Sequence, residues 1–189
     1  MYLFFDTETA GLPANYRAPV TNSKNWPRLV QIAWNFAQAD GTVEPLVTRI
    51  IKPDGFTIPE GASKIHGITT EKAMSEGQEL HVVMREFLRD VERAACLVGH
   101  NIDFDMNIVG AELHRLNVPH SMLSKKQICT MKASTEYCKL PGNYGYKWPS
   151  LTQLHLTLFE SEFDNAHDAG GDVIACMKCF FRLQTLGVI

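Results

Sequence analysis

A chain of 189 residues with 45% apolar and 21% charged side chains has material for one buried core, so residues 1–189 are expected to form a single soluble domain. Its net charge of −3 excludes a protein that holds polyanions by bulk attraction; a nucleic acid would need a local basic patch or a bound cation. No apolar run reaches the roughly 20 residues of a membrane helix, and the amino terminus lacks the basic segment of a signal peptide, which predicts a cytoplasmic protein without membrane contact.

Leu3, Phe4 and Phe5 read as a short buried strand that runs directly into Asp6-Thr7-Glu8-Thr9. Residues 13–27, rich in proline, asparagine and aromatics, have no period and read as a long surface loop. Leu29–Ala37 alternates, with Val30, Ile32, Trp34 and Phe36 on one face and Gln31, Ala33, Asn35 and Ala37 on the other. Asp40-Gly41 is a favoured hairpin turn, and residues 43–51 form the returning strand. Residues 53–67 read as loop, followed by a short helix capped by Thr69 or Thr70. Leu80, Val83, Met84, Phe87, Leu88 and Val91 mark an amphipathic helix. The apolar run 95–98 fits a buried parallel strand beside the first.

A second helix begins near Phe104 and stops before Pro119, and residues 128–130 add a short strand. Helices follow over residues 130–137 and 150–159, the latter with Ser150 as cap, and the last spans residues 171–186. Inside it Cys176 and Cys179 sit in an apolar pattern without a second ligand pair, so the five cysteines read as free thiols and these two as packing. The order predicts an α/β fold: a mixed sheet, antiparallel over three strands and parallel over the rest, flanked by helices.

Alternation along a strand puts Asp6 and Glu8 on one face, where two carboxylates held together call for a hard cation such as Mg²⁺ or Mn²⁺. Two further acidic clusters fall where the topology gathers ligands: residues 99–105 after the parallel strand, with Asp103 and Asp105, and residues 165–172 before the last helix. His167 and Asp172 are five apart, about 140° on an ideal helix. Asp172 therefore belongs to the first helical turn and His167 to the loop before it, with Gly170-Gly171 as the bend between. A histidine beside carboxylates suits a general base. A serine or cysteine hydrolase is excluded by the lack of a Gly-x-Ser-x-Gly elbow and by the apolar settings of the thiols.

Asp6-Thr7-Glu8-Thr9-Ala10-Gly11-Leu12, His100-Asn101-x-x-Phe104-Asp105 and His167-x-Ala169-x-x-Asp172 together resemble the three motifs of the DEDDh class of 3′-to-5′ exonucleases, a ribonuclease-H-like, DnaQ-like family that includes the proofreading subunit of the bacterial replicative polymerase. The segment from Ile58-Pro59 to Ile65-His66-Gly67-Ile68-Thr69 resembles the stretch these enzymes carry between the first two motifs. The resemblance implies that Asp6, Glu8 and Asp172 bind metal directly, that Asp105 reaches it directly or through water, and that His167 is the general base. It selects Asp105 over Asp103, places Thr9 and Leu12 at the terminal nucleotide, and makes His66, Asn101 and Phe104 further candidates for that pocket.

The activity implied by the resemblance is two-metal hydrolysis of single-stranded or frayed DNA from the 3′ end, releasing 5′-mononucleotides. Alternatives within it are RNA trimming, a polymerase-associated proofreading or repair role, and a binding module without activity; monomer and homodimer are both open. Two departures stand out: Ala10 where a second threonine is common, and the long segment 13–28. Residues 125–147 hold five lysines against Glu136, interleaved with Tyr137, Tyr144 and Tyr146 and followed by Trp148. That composition suits single-strand binding, and equally a solvated loop with packed aromatics.

Overall fold

The computed structural model describes residues 1–163 and 167–189, so Asn165 and Ala166 of the third acidic cluster lie outside the described residues. A five-stranded sheet runs in the order β3-β2-β1-β4-β5, with β1 Tyr2–Thr9, β2 Leu29–Ala37, β3 Val47–Ile50, β4 Cys96–Gly99 and β5 Lys126–Cys129. β1 pairs antiparallel with β2, which pairs antiparallel with β3; on its other side β1 pairs parallel with β4, and β4 with β5. The expected mixed sheet is therefore present, and β1 lies where its antiparallel and parallel parts meet.

Helices cover both faces. Leu3 and Phe5 of β1 point into a cluster with Trp34, Phe87, Leu97 and Val109, built with α3 Leu80–Arg93 and α4 Ile102–Arg115. Phe4 points the other way, onto Val173 and Phe180 of α8 Ala169–Thr185, the long carboxy-terminal helix. This double cover buries both alternating faces of β2: all nine of its residues are buried, because α8 packs on the Gln31, Ala33 and Asn35 face. Cys176 and Cys179 are free and buried in α8, and burial pushes both thiols up, Cys179 to about 12, so they pack as small hydrophobes.

Several boundaries differ from the sequence pattern. Residues 53–67 are not all loop: α1 Glu60–His66 follows Pro59 and ends at Gly67, whose φ of 73° suits glycine. α2 Thr70–Glu76 is capped by Thr69, whose hydroxyl accepts the Lys72 amide. The return strand shrinks to β3 because only Val43 bridges Ala37 before it, Pro45 having no amide to give. The helix expected over 130–137 breaks into α5 Thr130–Ala133 and α6 Thr135–Cys138. A small hairpin, β6 Pro141–Gly142 and β7 Gly145–Tyr146, follows. α7 Leu151–Phe159 carries the full capping box of Ser150 and Gln153. Among the described residues no helix is long and apolar enough to cross a membrane.

Candidate active site

The carboxyl end of β1 carries the acidic pair, and α8 brings the third member. Asp6 and Glu8 share the α8 side of the sheet with Phe4, and Asp172 projects from the first turn of α8, so that one oxygen from each of the three carboxylates lies within 4.8 Å of the others. Just past Glu8 the ladder with β2 slips by a residue, Glu8 facing Gln31 and Thr9 facing Leu29, and such a bulge re-aims the strand end. Asp105 arrives on α4 from the opposite face, 3% exposed, and its Oδ1 accepts both the Thr7 amide at 3.0 Å and the Thr7 hydroxyl at 2.6 Å. Its carboxylate thereby clamps the residue between the two acids. Asp103 lies at the surface in an ion pair with Lys132.

Burial and mutual repulsion set the charge state. Burial pushes Glu8 up to about 8, with the Asp172 and Asp105 charges adding to the rise. Burial likewise raises Asp105 to about 7, against the Thr7 hydrogen bonds that lower it, and Asp172 to about 6, against the His167 ring and amide. Asp6 is held well above the usual carboxylate range, by burial first and then by Asp105, Asp172 and Glu8. Four such groups cannot all ionise near neutrality by themselves. A set of hard oxygen donors at this separation fits Mg²⁺ or Mn²⁺ chemically.

His167 is exposed on the turn that precedes α8, with a φ of 66°, and it faces Asp172 closely enough to lower that acid's pKa. The helix starts two residues earlier than the sequence suggests. Gly170 and Gly171 are helical and not a bend, and the left-handed residue that turns the chain is His167 itself. Gly170 has a packing reason: a β-carbon there would meet the Asp168 carboxylate and the Thr48 hydroxyl, each at 3.1 Å.

Beside the acids opens a cleft of about 370 Å³ lined by Glu8, Thr9, Leu12, Ile65, His66 and Phe104 among others. Leu12 is 75% exposed at its mouth. The His66 Nδ1 accepts the Ile68 amide at 3.2 Å, which leaves the proton on Nε2; that buried atom has no hydrogen-bond partner among the described residues, although the Thr9 main chain stands near it. Burial lowers the His66 pKa, so the ring is a neutral donor. Asn101 does not line this cleft. It is the left-handed residue (φ 67°) that opens α4, a conformation asparagine tolerates, and its side chain borders a neighbouring cleft with Phe104. His100 is a structural residue, its Nδ1 3.0 Å from the Thr130 hydroxyl and its Nε2 3.0 Å from the Pro149 carbonyl, and burial pushes it down to about 4.

Sequence reasoning missed the clamp that fixes α8. Gln31, opposite Glu8 on β2, donates to Asp168 Oδ1 at 3.1 Å, and its Oε1 accepts the Ala169 amide at 3.0 Å. Asp168 caps the helix by accepting the Gly171 amide through Oδ2 at 3.1 Å. The cap was legible as an aspartate before a helical run; its glutamine partner, 137 residues away, was not. Gln31→Leu keeps the volume and strands both the Ala169 amide and Asp168. It is expected to cost about 1–3 kcal/mol in urea unfolding, and an unchanged midpoint would show that the clamp does not hold the helix.

A family model described as "Exonuclease" matches residues 3–180. DNA polymerase III subunit epsilon of Treponema pallidum (strain Nichols) is 29% identical over 183 residues, covering 93% of this chain and 73% of that protein. Crystal structures of E. coli exonuclease I bound to dA13 and dT13 oligonucleotides superpose with TM-scores of 0.74 and 0.77 at 20% and 21% identity, over 97% of this chain. The chain spans only 40% and 41% of their length, and the likeness is one of fold. With nearly its whole length inside the family model, and with the ribonuclease-H-like sheet of these structures, the chain belongs to the exonuclease family, in its DnaQ-like DEDDh branch.

Proposed function

We propose that the protein is a metal-dependent exonuclease that removes 5′-mononucleotides one at a time from the 3′ end of single-stranded DNA. The observation that carries this reading is the joint placement of three carboxylates within 4.8 Å of one another and a largely apolar cleft of nucleoside size, with Glu8 belonging to both. A terminal nucleoside seated against Leu12, Ile65 and Phe104 directs its phosphodiester toward Asp6, Glu8 and Asp172. Asp6, Glu8 and Asp172 would hold two divalent ions directly, and Asp105 would reach them directly or through water. Bound there, such ions supply positive charge to the phosphate and ease deprotonation of the attacking water.

The remaining work falls to side chains. His167 accepts the proton of the attacking water and, being exposed, passes it to solvent. His66 lines the cleft beside Thr9 and gives the nucleotide a neutral ring to rest against. Asp105 keeps the strand rigid through Thr7, so that Asp6 and Glu8 hold their spacing. DNA is favoured over RNA because the similar proteins are a DNA polymerase subunit and an exonuclease bound to deoxyoligonucleotides.

The test is an incubation of 5′-labelled single-stranded DNA and RNA of matched sequence with Mg²⁺, Mn²⁺ or EDTA. A metal-dependent ladder that shortens from the 3′ end, faster on DNA, is expected. A faster ladder on RNA reassigns the substrate, and intact or internally cut strands overturn the proposal.

A further inference from the structure

We propose that Arg28, locked in place by the buried Glu112, sets the spacing between the two walls of the cleft beside the acids and so governs how firmly the terminal base is held, without touching it. This rests on the exonuclease reading of that cleft. One wall is the end of β1 and the residues after it, Thr9 to Leu12; the other is α1 with Pro59 before it, through Ala62, Ile65 and His66. Arg28 is bound to both. Its carbonyl accepts the Ala10 amide at 2.9 Å. Its guanidinium reaches the other way: Nη1 donates to the Asp54 carbonyl at 3.1 Å, and Cζ lies 4.5 Å from the centre of the Phe56 ring. That ring packs, as Ala10 and Ala62 do, against the cluster of Val30, Ile58 and Ile68.

Glu112 fixes the arginine. It follows Asp105 by seven residues, two turns along α4 and on the same side of the helix, and it is 1% exposed. A carboxylate at that depth needs charged partners and donors around it. Its Oε1 accepts Arg28 Nε and the Leu29 amide, both at 2.9 Å, and stands 3.0 Å from Arg115 Nη1. Leu29 is the residue paired with Thr9, just past the slip in the β1–β2 ladder. The two acids of α4 thus repeat one device: Asp105 grips β1 at Thr7, and Glu112 grips β2 opposite Thr9. Arg115 also donates to the carbonyls of Ser23 and Trp26, so the chain leading into Arg28 is held as well.

The three motifs give neither Arg28 nor Glu112 a role, and neither residue lines the cleft. Walls fixed before the nucleotide arrives spare part of the ordering cost of binding. The carboxylates depend on a separate tie, since Asp105 holds the strand between Asp6 and Glu8 through Thr7. Removing the guanidinium is therefore expected to loosen the grip on the base and to leave the acids in place. Arg28→Met does this cleanly: the main-chain bond to Ala10 and the length of the side chain remain, and the links to Glu112, Asp54 and Phe56 go.

The test measures binding of a 5′-fluorescein oligothymidylate by anisotropy, with Ca²⁺ in place of Mg²⁺ to hold the strand without cleavage. The same strand with an abasic residue at its 3′ end is run beside it. The wild type is expected to prefer the intact strand about tenfold, within the range of one bound base. In Arg28→Met that preference falls below about threefold. A lost positive charge by itself weakens both strands alike, so their ratio reports on the cleft. In Mg²⁺, KM rises about tenfold and kcat changes by less than about threefold. Arg28→Lys keeps a charge beside Glu112 but not the fork that also reaches Asp54, and it carries the same expectation should the methionine variant fail to fold. No preference in the wild type, or a preference that survives whole in the variants while their melting temperature drops, overturns the proposal. Hydrolysis in Mg²⁺ is read separately. A base preference that depends on Arg28 without hydrolysis sinks the exonuclease reading alone, and hydrolysis with a preference indifferent to Arg28 sinks the positioning role alone.

Discussion

Asp6→Asn is expected to lose at least about 10³-fold in hydrolysis, the equivalent of roughly 4 kcal/mol of charge stabilisation, and yet to melt at a higher temperature than the wild type when both are freed of metal. The two effects have one cause. Asp6 sits among Asp105, Asp172 and Glu8, and burial together with their charges holds it well above the usual carboxylate range. Asparagine keeps the shape and removes the charge that metal would otherwise balance. Relief of an uncompensated buried charge is worth on the order of a kcal/mol or more, which for a chain of this size is about 2–4 °C per kcal/mol.

The sign comes from proton binding. Each of these acids has its folded pKa raised: Glu8 to about 8, Asp105 to about 7, Asp172 to about 6 and Asp6 upward as well. Between about pH 4, where unfolded carboxyls titrate, and about pH 8, where Glu8 does, the folded state binds more protons than the unfolded one. Stability of the metal-free protein therefore falls as pH rises through that window. Thermal melts in EDTA across it should show the decline, a smaller decline for Asp6→Asn, and recovery on adding Mg²⁺. A variant that melts lower than the wild type at the alkaline end would refute this account of the acids.

His167→Ala is the second large effect, with a different signature. A general base is worth about 10²–10⁴ in rate, and His167 lines neither cleft and is not one of the three clustered carboxylates. The loss is therefore expected in kcat, with the oligonucleotide Kd measured in Ca²⁺ within about threefold of the wild type, since general-base work is done in the transition state. Parallel losses in kcat and affinity would make His167 a binding residue. A kcat within about tenfold of the wild type would take the proton-accepting role away from it.

The amino-acid sequence by itself determined the features that depend on neighbours a few residues away. The apolar run into Asp6-Thr7-Glu8 dictates a strand ending in two carboxylates on one face, Ser150 and Gln153 dictate the start of α7, and the spacing of Val83, Met84, Phe87 and Val91 dictates the buried face of α3. The order of three motifs was legible too, because each lies at the end or start of an element whose period can be read. Tertiary structure decided what depends on partners far along the chain. Only the docking of α8 buries the Gln31 face of β2 and turns that glutamine into a helix clamp. Only the approach of α4 ties Asp105 to Thr7 across 98 residues, and only the fold sets Tyr16 and Trp148 around one cleft with Phe104. Periodicity records which face of an element seeks burial; it does not record what arrives to cover that face, since the contact energy belongs to the pair and only one member is in view.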